Sequence, residues 1–389
     1  MPDAIVGLVD RRGYDEAAVE AAAREAVRVA FGPEALKAFK SATVLLKPNI
    51  LLASAPERAA TTHPAVVRAA IRIARDAGAR RVLVGDSPGW QPTGMAAAKA
   101  GIAELARAEG AELADFSQGV EVELPEGSLI KRFELARPVV EAELLVNLPK
   151  LKTHGLMYYT GAVKNLFGCI PGLKKSAFHL RFPGRKEFAA MLADLYLAVK
   201  PGVCLMDAVV GMEGPGPNNG RPREIGLIMA SRSGFALDWV AAGLIGYAPR
   251  DIPYLAHAAD DPRYGFDPAE IRTVGEDPQA RVIRDFERVR VLKDNDIFKK
   301  HLPAWAHRLI KNLSVARPFF SAERCVRCSA CVKICPARCL GLEPGARAPA
   351  VDYGACIRCY CCHEVCPADA IELRRRPCAP GPRTPPRSS

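Results

Sequence analysis

At 389 residues, 49% of them hydrophobic and with mean hydropathy near zero, the chain has the composition of a soluble protein of two or three domains. No apolar run approaches the length that crosses a bilayer, and no apolar segment opens the chain, so a cytoplasmic protein in a reducing compartment, with no membrane partner, is expected. The formal charge is +11, but the basic residues are scattered and no basic face interleaved with aromatics stands out, which argues against nucleic acid and favours acidic redox partners or an anionic substrate.

Short apolar runs alternate with amphipathic stretches over residues 1–275, the pattern of an α/β domain with a largely parallel sheet and flanking helices. Strands are expected at Ala4–Val9, Thr43–Leu46, Arg81–Gly85, Leu144–Asn147, Val203–Met206 and Ile225–Ala230. Periodicity predicts helices at Glu16–Ala30, Pro64–Ala77, Met95–Ala108, Phe188–Ala198 and Phe235–Leu244. Residues 276–320 are charged and read as a connector, with one amphipathic piece at Ala304–Leu313. Residues 321–376 form a small α+β ferredoxin-like domain, in which Cys339–Leu342 and Ala350–Tyr353 flank a Pro-Gly turn as a short hairpin would. Residues 377–389 are Pro-rich and read as a disordered tail.

Polar clusters fall just after the expected strands, where open α/β sheets place ligands. They are Lys47-Pro48-Asn49, Thr61-Thr62-His63-Pro64, Gly85-Asp86-Ser87-Pro88-Gly89, the long stretch Asn147–Cys169, and Asp207–Pro217. Lys150, Lys152, His154, Lys164, Lys174, Lys175, His179 and Arg181 concentrate positive charge in about thirty residues, a basic loop suited to a carboxylate or phosphate unless it is merely solvated. Neither a Walker loop nor a dinucleotide fingerprint is present. His63 reads as part of a helix start, and His154 and His179 are too far apart in sequence to assign as a metal pair.

The sharpest motif is C-terminal. Cys325, Cys328, Cys331, Cys335 and Pro336 repeat, with every spacing kept, as Cys356, Cys359, Cys362, Cys366 and Pro367. This is the C-x2-C-x2-C-x3-C-P run of two-cluster ferredoxins, in which the fourth cysteine serves the other cluster. Two 4Fe-4S clusters are therefore expected, one on Cys325, Cys328, Cys331 and Cys366, the other on Cys356, Cys359, Cys362 and Cys335. Structural zinc usually uses separated C-x2-C pairs, and disulfides do not suit a long chain in a reducing compartment. The clusters, at roughly −2 each, would bring the loaded protein to about +7. The remaining cysteines read as small buried hydrophobes or incidental thiols, Cys169 less plainly because of its neighbours.

In order, Lys47-Pro48-Asn49, Thr62-His63-Pro64, Gly85-Asp86-Ser87-Pro88, Pro149–His154, Gly161–Gly168 and Glu213–Pro217 resemble the successive blocks of the family catalogued as domain of unknown function 362, in the form fused to a C-terminal ferredoxin domain. Cys359-Tyr360-Cys361-Cys362-His363-Glu364 resembles the second motif of those fusions. The resemblance implies an iron-sulfur protein of redox metabolism and supplies no reaction. A ferredoxin-coupled oxidoreductase is the first expectation. In it Lys150, Lys152 and Lys164 anchor an anionic small molecule, Asp86, His154 or Asp207 moves a proton, and a redox partner protein exchanges electrons with the clusters. The alternative is a non-catalytic electron-transfer or maturation partner whose large domain docks another protein.

Overall fold

The structure is a computed structural model that describes residues 4–89, 91–289 and 315–374. The expected amphipathic piece Ala304–Leu313 and the Pro-rich end lie outside the described residues.

The central strands are Ile5–Asp10 (β1), Thr43–Pro48 (β2), Arg81–Val84 (β3) and Glu112–Leu113 (β4). A side hairpin follows, Gly119–Glu123 (β5) and Arg132–Ala136 (β6), and then Leu144–Leu148 (β7), Lys150–His154 (β8), Tyr158–Thr160 (β9), Val203–Glu213 (β10), Arg221–Ser231 (β11) and Arg272–Gly275 (β12). Ten of these make one mixed, mostly parallel sheet in the order β12-β1-β11-β10-β7-β2-β3-β4, with β8 beside β10 and β9 beside β8. β11 runs antiparallel to both of its neighbours. The β10–β7, β7–β2, β2–β3 and β3–β4 ladders are all parallel.

Alternation in the central strands explains why the sheet is covered on both faces. Val44 and Leu46, Val82 and Val84, and Leu144 and Val146 enter one core, while Leu45, Leu83 and Leu145 enter the other. The first core is closed by the helix Glu16–Phe31, which buries Val19, Ala22, Ala23, Ala26, Val27 and Ala30 along a single stripe. Its start is capped by Asp15, whose carboxylate accepts from Ala18 N. The helix Pro64–Asp76 lies in the same core; His63 is its cap, with Nδ1 accepting from Ala65 N at 3.2 Å, and Pro64 takes the first helical position. On the opposite face, Arg185–Val199 and Gly234–Leu244 bury their apolar sides.

Two expectations are corrected. The single helix over Met95–Ala108 is two, Thr93–Lys99 and Ile102–Ala108, because Gly101 adopts φ +72° between them and ends the first. The stretches Lys150–His154 and Asp207–Glu213, read as loops, are strands: β10 runs on for eleven residues and its far half pairs with β8, Asp207 opposite Lys150 and Met212 opposite Lys152.

The cysteine-rich segment is built from Arg317–Phe320 (β13) paired antiparallel with Ile371–Arg374 (β16), a minimal hairpin of Leu340–Gly341 (β14) and Ala350–Val351 (β15), and the short helices Ala330–Ile334 and Cys361–Glu364. It docks on the large sheet through Tyr360, which joins the main core, and through polar contacts. Asn218 Nδ2 donates to Cys366 O at 3.1 Å, His363 Nε2 lies 3.2 Å from Pro215 O, and Arg58 pairs with Asp369 at 3.0 Å.

Candidate active site

The site begins with a buried clamp at the carboxyl ends of β2 and β3. Lys47 Nζ donates to Asp86 Oδ1 at 2.7 Å, and both side chains are almost wholly buried. The Asp86 carboxylate also accepts from Ile50 N at 2.7 Å and Ser87 N at 2.9 Å, so both of its oxygens are engaged. Asn165 ties this clamp to β7: its Oδ1 accepts from Asn49 Nδ2 at 2.9 Å, and its Nδ2 donates to Asn147 Oδ1 at 2.8 Å. Gly168 passes so close that a Cβ there would sit 1.9 Å from Asp86 Oδ1, which is why no side chain fits.

The short helix Ala162–Asn165, which carries Lys164, is held from behind by Asp238. That buried carboxylate accepts from Ala162 N at 2.6 Å and Val163 N at 3.0 Å, and burial raises its pKa to about 7 despite these donors. Lys164, Lys152, His154, Asp86, Lys175 and His179 then line one cavity of about 90 Å³, closed on its far side by Ile334, Cys361, Glu364 and Val365 of the cysteine-rich segment. Ile50, Leu51 and Phe167 give it apolar walls.

The cations in it differ in what holds them. Lys175 Nζ donates to Ser87 O and Oγ, Pro88 O and Ile170 O at 2.7–3.2 Å. Lys152 Nζ donates to Asn49 Oδ1 and Ala60 O, both at 2.7 Å. Burial with no carboxylate partner pushes both ammonium groups down to about 7. Lys164 Nζ has no hydrogen-bond or ion-pair partner among the described residues and rests 5.6 Å from the centroid of Phe167; burial lowers its pKa as well. His154 Nδ1 accepts from Leu156 N at 3.0 Å and Met157 N at 3.2 Å, which puts the ring proton on Nε2. Nε2 lies 3.1 Å from Glu364 Oε1, so the two side chains face each other, and His179 Nδ1 is buried without a hydrogen-bond partner. Burial drives His154 down to about 4 and His179 to about 3, so both are neutral near pH 7. Burial pushes the Glu364 carboxyl up, but His154 and Lys164 outweigh it and hold the group below the usual range.

Lys150 and Asp207 sit elsewhere. Lys150 Nζ donates to Asp207 Oδ2 and to Tyr14 OH, each at 2.8 Å, and Tyr14 OH donates to Asp207 Oδ1 at 2.8 Å. Asp207 Oδ2 also accepts from His63 N at 2.9 Å, and the His63 ring stacks on Tyr14 at 3.5 Å. This closed network joins the loop after β1, the start of a helix, β8 and β10, and neither Lys150 nor Asp207 borders the cavity. Lys152, His154, Lys164 and Asp86 are therefore brought together, and Lys150 and Asp207 are not. Glu364 and Cys361, which complete the cavity, stand out in the sequence only as part of the second cysteine motif, because their neighbours in space lie some two hundred residues earlier. Cys169 and Cys204 are buried thiols pushed up to about 12 by burial, with the character of small hydrophobes.

The cysteine repeats enclose two further cavities. One is lined by Cys325, Cys328, Cys331 and Cys366, the other by Cys335, Cys356, Cys359 and Cys362, together with Cys339 and Cys361. Each thiol quartet thus borrows its fourth member from the other repeat. The backbone follows the same internal symmetry: Arg327, Ser329 and Arg338 have positive φ, and so do Arg358, Tyr360 and Asp369 at the matching places. Left-handed non-glycine residues are costly, and here they turn successive cysteines inward. Every described cysteine is a free thiol. Among the described residues no His, Cys, Asp or Glu side chains are gathered closely enough to hold a single metal ion, so what the quartets offer is softness and shape: four thiols around an apolar hollow.

Fold and site together define a mixed α/β protein with a cationic cavity at the carboxyl ends of its strands and a cysteine-rich lid over it. Residues 44–243 match the family described as Domain of unknown function (DUF362), and the chain belongs to that family. It is 33% identical over 256 residues to the thylakoid-associated protein sll1697 of Synechocystis, covering 65% of this chain and 78% of that one. It also resembles the apoprotein of lactate racemase from Thermoanaerobacterium thermosaccharolyticum, with a TM-score of 0.38 and 14% identity over 62% of this chain; it spans 58% of that structure. Among the described residues no helix is long and apolar enough to cross a membrane.

Proposed function

We propose that the chain is an iron-sulfur electron-transfer protein whose two 4Fe-4S clusters feed the reduction of a small anionic molecule in the cationic cavity. The clusters would be held by Cys325, Cys328, Cys331 and Cys366, and by Cys335, Cys356, Cys359 and Cys362. When bound, such clusters supply single electrons at low potential. One observation carries the reading: Cys361 lines both the second thiol cavity and the cationic cavity, so the two share a wall. Lys152, Lys164 and Lys175 bias the cavity toward an anion, the apolar walls exclude water, and the Nε2–H of neutral His154 can donate a hydrogen bond toward a bound ligand. The Lys47–Asp86 clamp and Asn165 hold these groups in place. Electrons would come from a redox partner protein in a reducing compartment, which suits free thiols.

Anaerobic purification with iron and sulfide counted tests the cofactor: about eight irons per chain are expected, and about four in Cys366→Ser. Zinc in place of iron, or no bound metal, would sink the proposal.

A further inference from the structure

We propose that Cys339 and Cys361, which belong to neither quartet, donate hydrogen bonds from their thiols into the second hollow and so ease the reduction of a cluster held there. This rests on the reading above that the hollows hold 4Fe-4S clusters, and it adds how the chain makes the two inequivalent.

The two repeats supply the comparison. Laid over one another, they set Ala330 at the place of Cys361 and Ala370 at the place of Cys339. Ala330 and Ala370 both line the first hollow, and Cys361 and Cys339 both line the second, so the walls match in position and differ in chemistry. The backbone is kept: Ala370 N donates to Cys366 Sγ at 3.3 Å, and Cys339 N has the same relation to Cys335. Two methyl groups in one hollow are therefore two buried thiols in the other. Cys339 Sγ lies 3.5 Å from Cys335 Sγ and beside Cys356, and Cys361 lies beside Cys359, so both extra thiols are set against sulfurs of the second quartet. That quartet already offers the four thiolates a cubane takes, which leaves the fifth and sixth thiols no iron to bind.

The surroundings of the hollows show what the extra thiols are for. In the first repeat the tip is bare: Val326 is 64% exposed, and Arg327 and Cys328 are exposed with it. In the second, the matching Arg358 is 5% exposed and donates to Val315 O at 3.1 Å, Tyr360 OH donates to Ala316 O at 3.1 Å, and no cysteine of the quartet is exposed. A cluster gains negative charge on reduction, and burial opposes that gain unless donors point at its sulfurs. Water serves the outer hollow through Cys328. An S–H is a weak donor, but two of them offset part of what the inner hollow loses by exclusion of water. The electron balance is simple: the outer cluster, reduced by the partner protein, is oxidised as it hands one electron inward, and the inner cluster is reduced against the wall it shares with the cationic cavity.

The test is anaerobic potentiometric titration of the full chain followed by electron paramagnetic resonance, with iron and sulfide counted on the same samples. Cys339→Ala and Cys361→Ala should each make reduction of one and the same cluster about threefold less favourable, and the double variant about tenfold, which is about 59 mV for one electron. The other cluster should not move. Cys339→Ser keeps a donor and should restore most of the shift, whereas Ala370→Cys should make the other cluster about threefold easier to reduce. Each of these variants should keep about eight irons. Unmoved potentials in the double variant, equal shifts in both clusters, or loss of iron from Cys339→Ala or Cys361→Ala, which would make that residue a ligand, would each overturn the inference while leaving the cluster reading intact. A wild type without iron would instead sink the cluster reading and the inference with it.

Discussion

Asp86→Ala should be among the most damaging single substitutions in the large domain, although Asp86 lies at the cavity edge. In the wild type its carboxylate accepts from Lys47 Nζ, Ile50 N and Ser87 N at 2.7–2.9 Å. Truncation leaves Lys47, which is 0% exposed, with only Pro48 O at 3.1 Å and Asn165 Oδ1 at 3.3 Å. Removing one partner of a buried ion pair costs about 3–5 kcal/mol. The two orphaned backbone donors add about 1 kcal/mol each, so the total is about 5–7 kcal/mol, comparable to the whole stability of a marginal domain. Lys47→Met removes the charge and leaves the carboxylate its two backbone donors, so it should cost less, about 2–3 kcal/mol. The double variant should be more stable than the sum of the two singles implies by about 2 kcal/mol. Equilibrium urea unfolding followed by circular dichroism measures all three. A loss below about 1 kcal/mol in Asp86→Ala, or strict additivity in the cycle, would show that the clamp does not hold the site as described.

Gly168→Ala would place a methyl 1.9 Å from Asp86 Oδ1 and 2.8 Å from Lys47 Nζ, so it must displace the clamp. A loss of about 3 kcal/mol and a melting temperature lower by roughly 6 °C are expected, and a shift under about 1 °C would mean that the loop moves aside freely. Acid should weaken the fold through His154 and His179, whose folded pKa values of about 4 and about 3 lie below the ordinary 6.5. The unfolded chain then binds more protons, so this stability is complete above about pH 6.5 and is lost as pH falls toward the folded values. Each histidine accounts for about 2 kcal/mol between pH 7 and pH 5. His179→Leu should therefore shrink the difference in unfolding free energy between those two pH values by about that amount, and an unchanged difference would refute the assignment.

Some of this was legible because the relevant signal is local. Alternation in β2, β3 and β7 makes a sheet buried on both faces, and cysteine spacing with its left-handed turns makes two hollows. Residue type also shows which side chains need partners: a lysine in an apolar run must find an acceptor wherever the chain folds. Which acceptor it finds is tertiary. Lys150 and Lys152 are two residues apart on one strand, yet Lys150 closes a network with Asp207 and Tyr14 while Lys152 turns to Asn49 and Ala60. A strand's alternation gives both the same face, but the bulge in β10 between Ala208 and Val210 and the differing elements beside each residue separate their fates. Glu364 is the extreme case, since it reaches His154 from a different part of the chain and no pattern near either residue links them. Positive charge concentrated in a sequence is therefore weak grounds for a binding site, because folding consumes most of it. Lys47, Lys150, Lys152 and Lys175 are consumed in this way, whereas Lys164 makes no hydrogen bond among the described residues and is set against the Phe167 ring and the charge of Glu364.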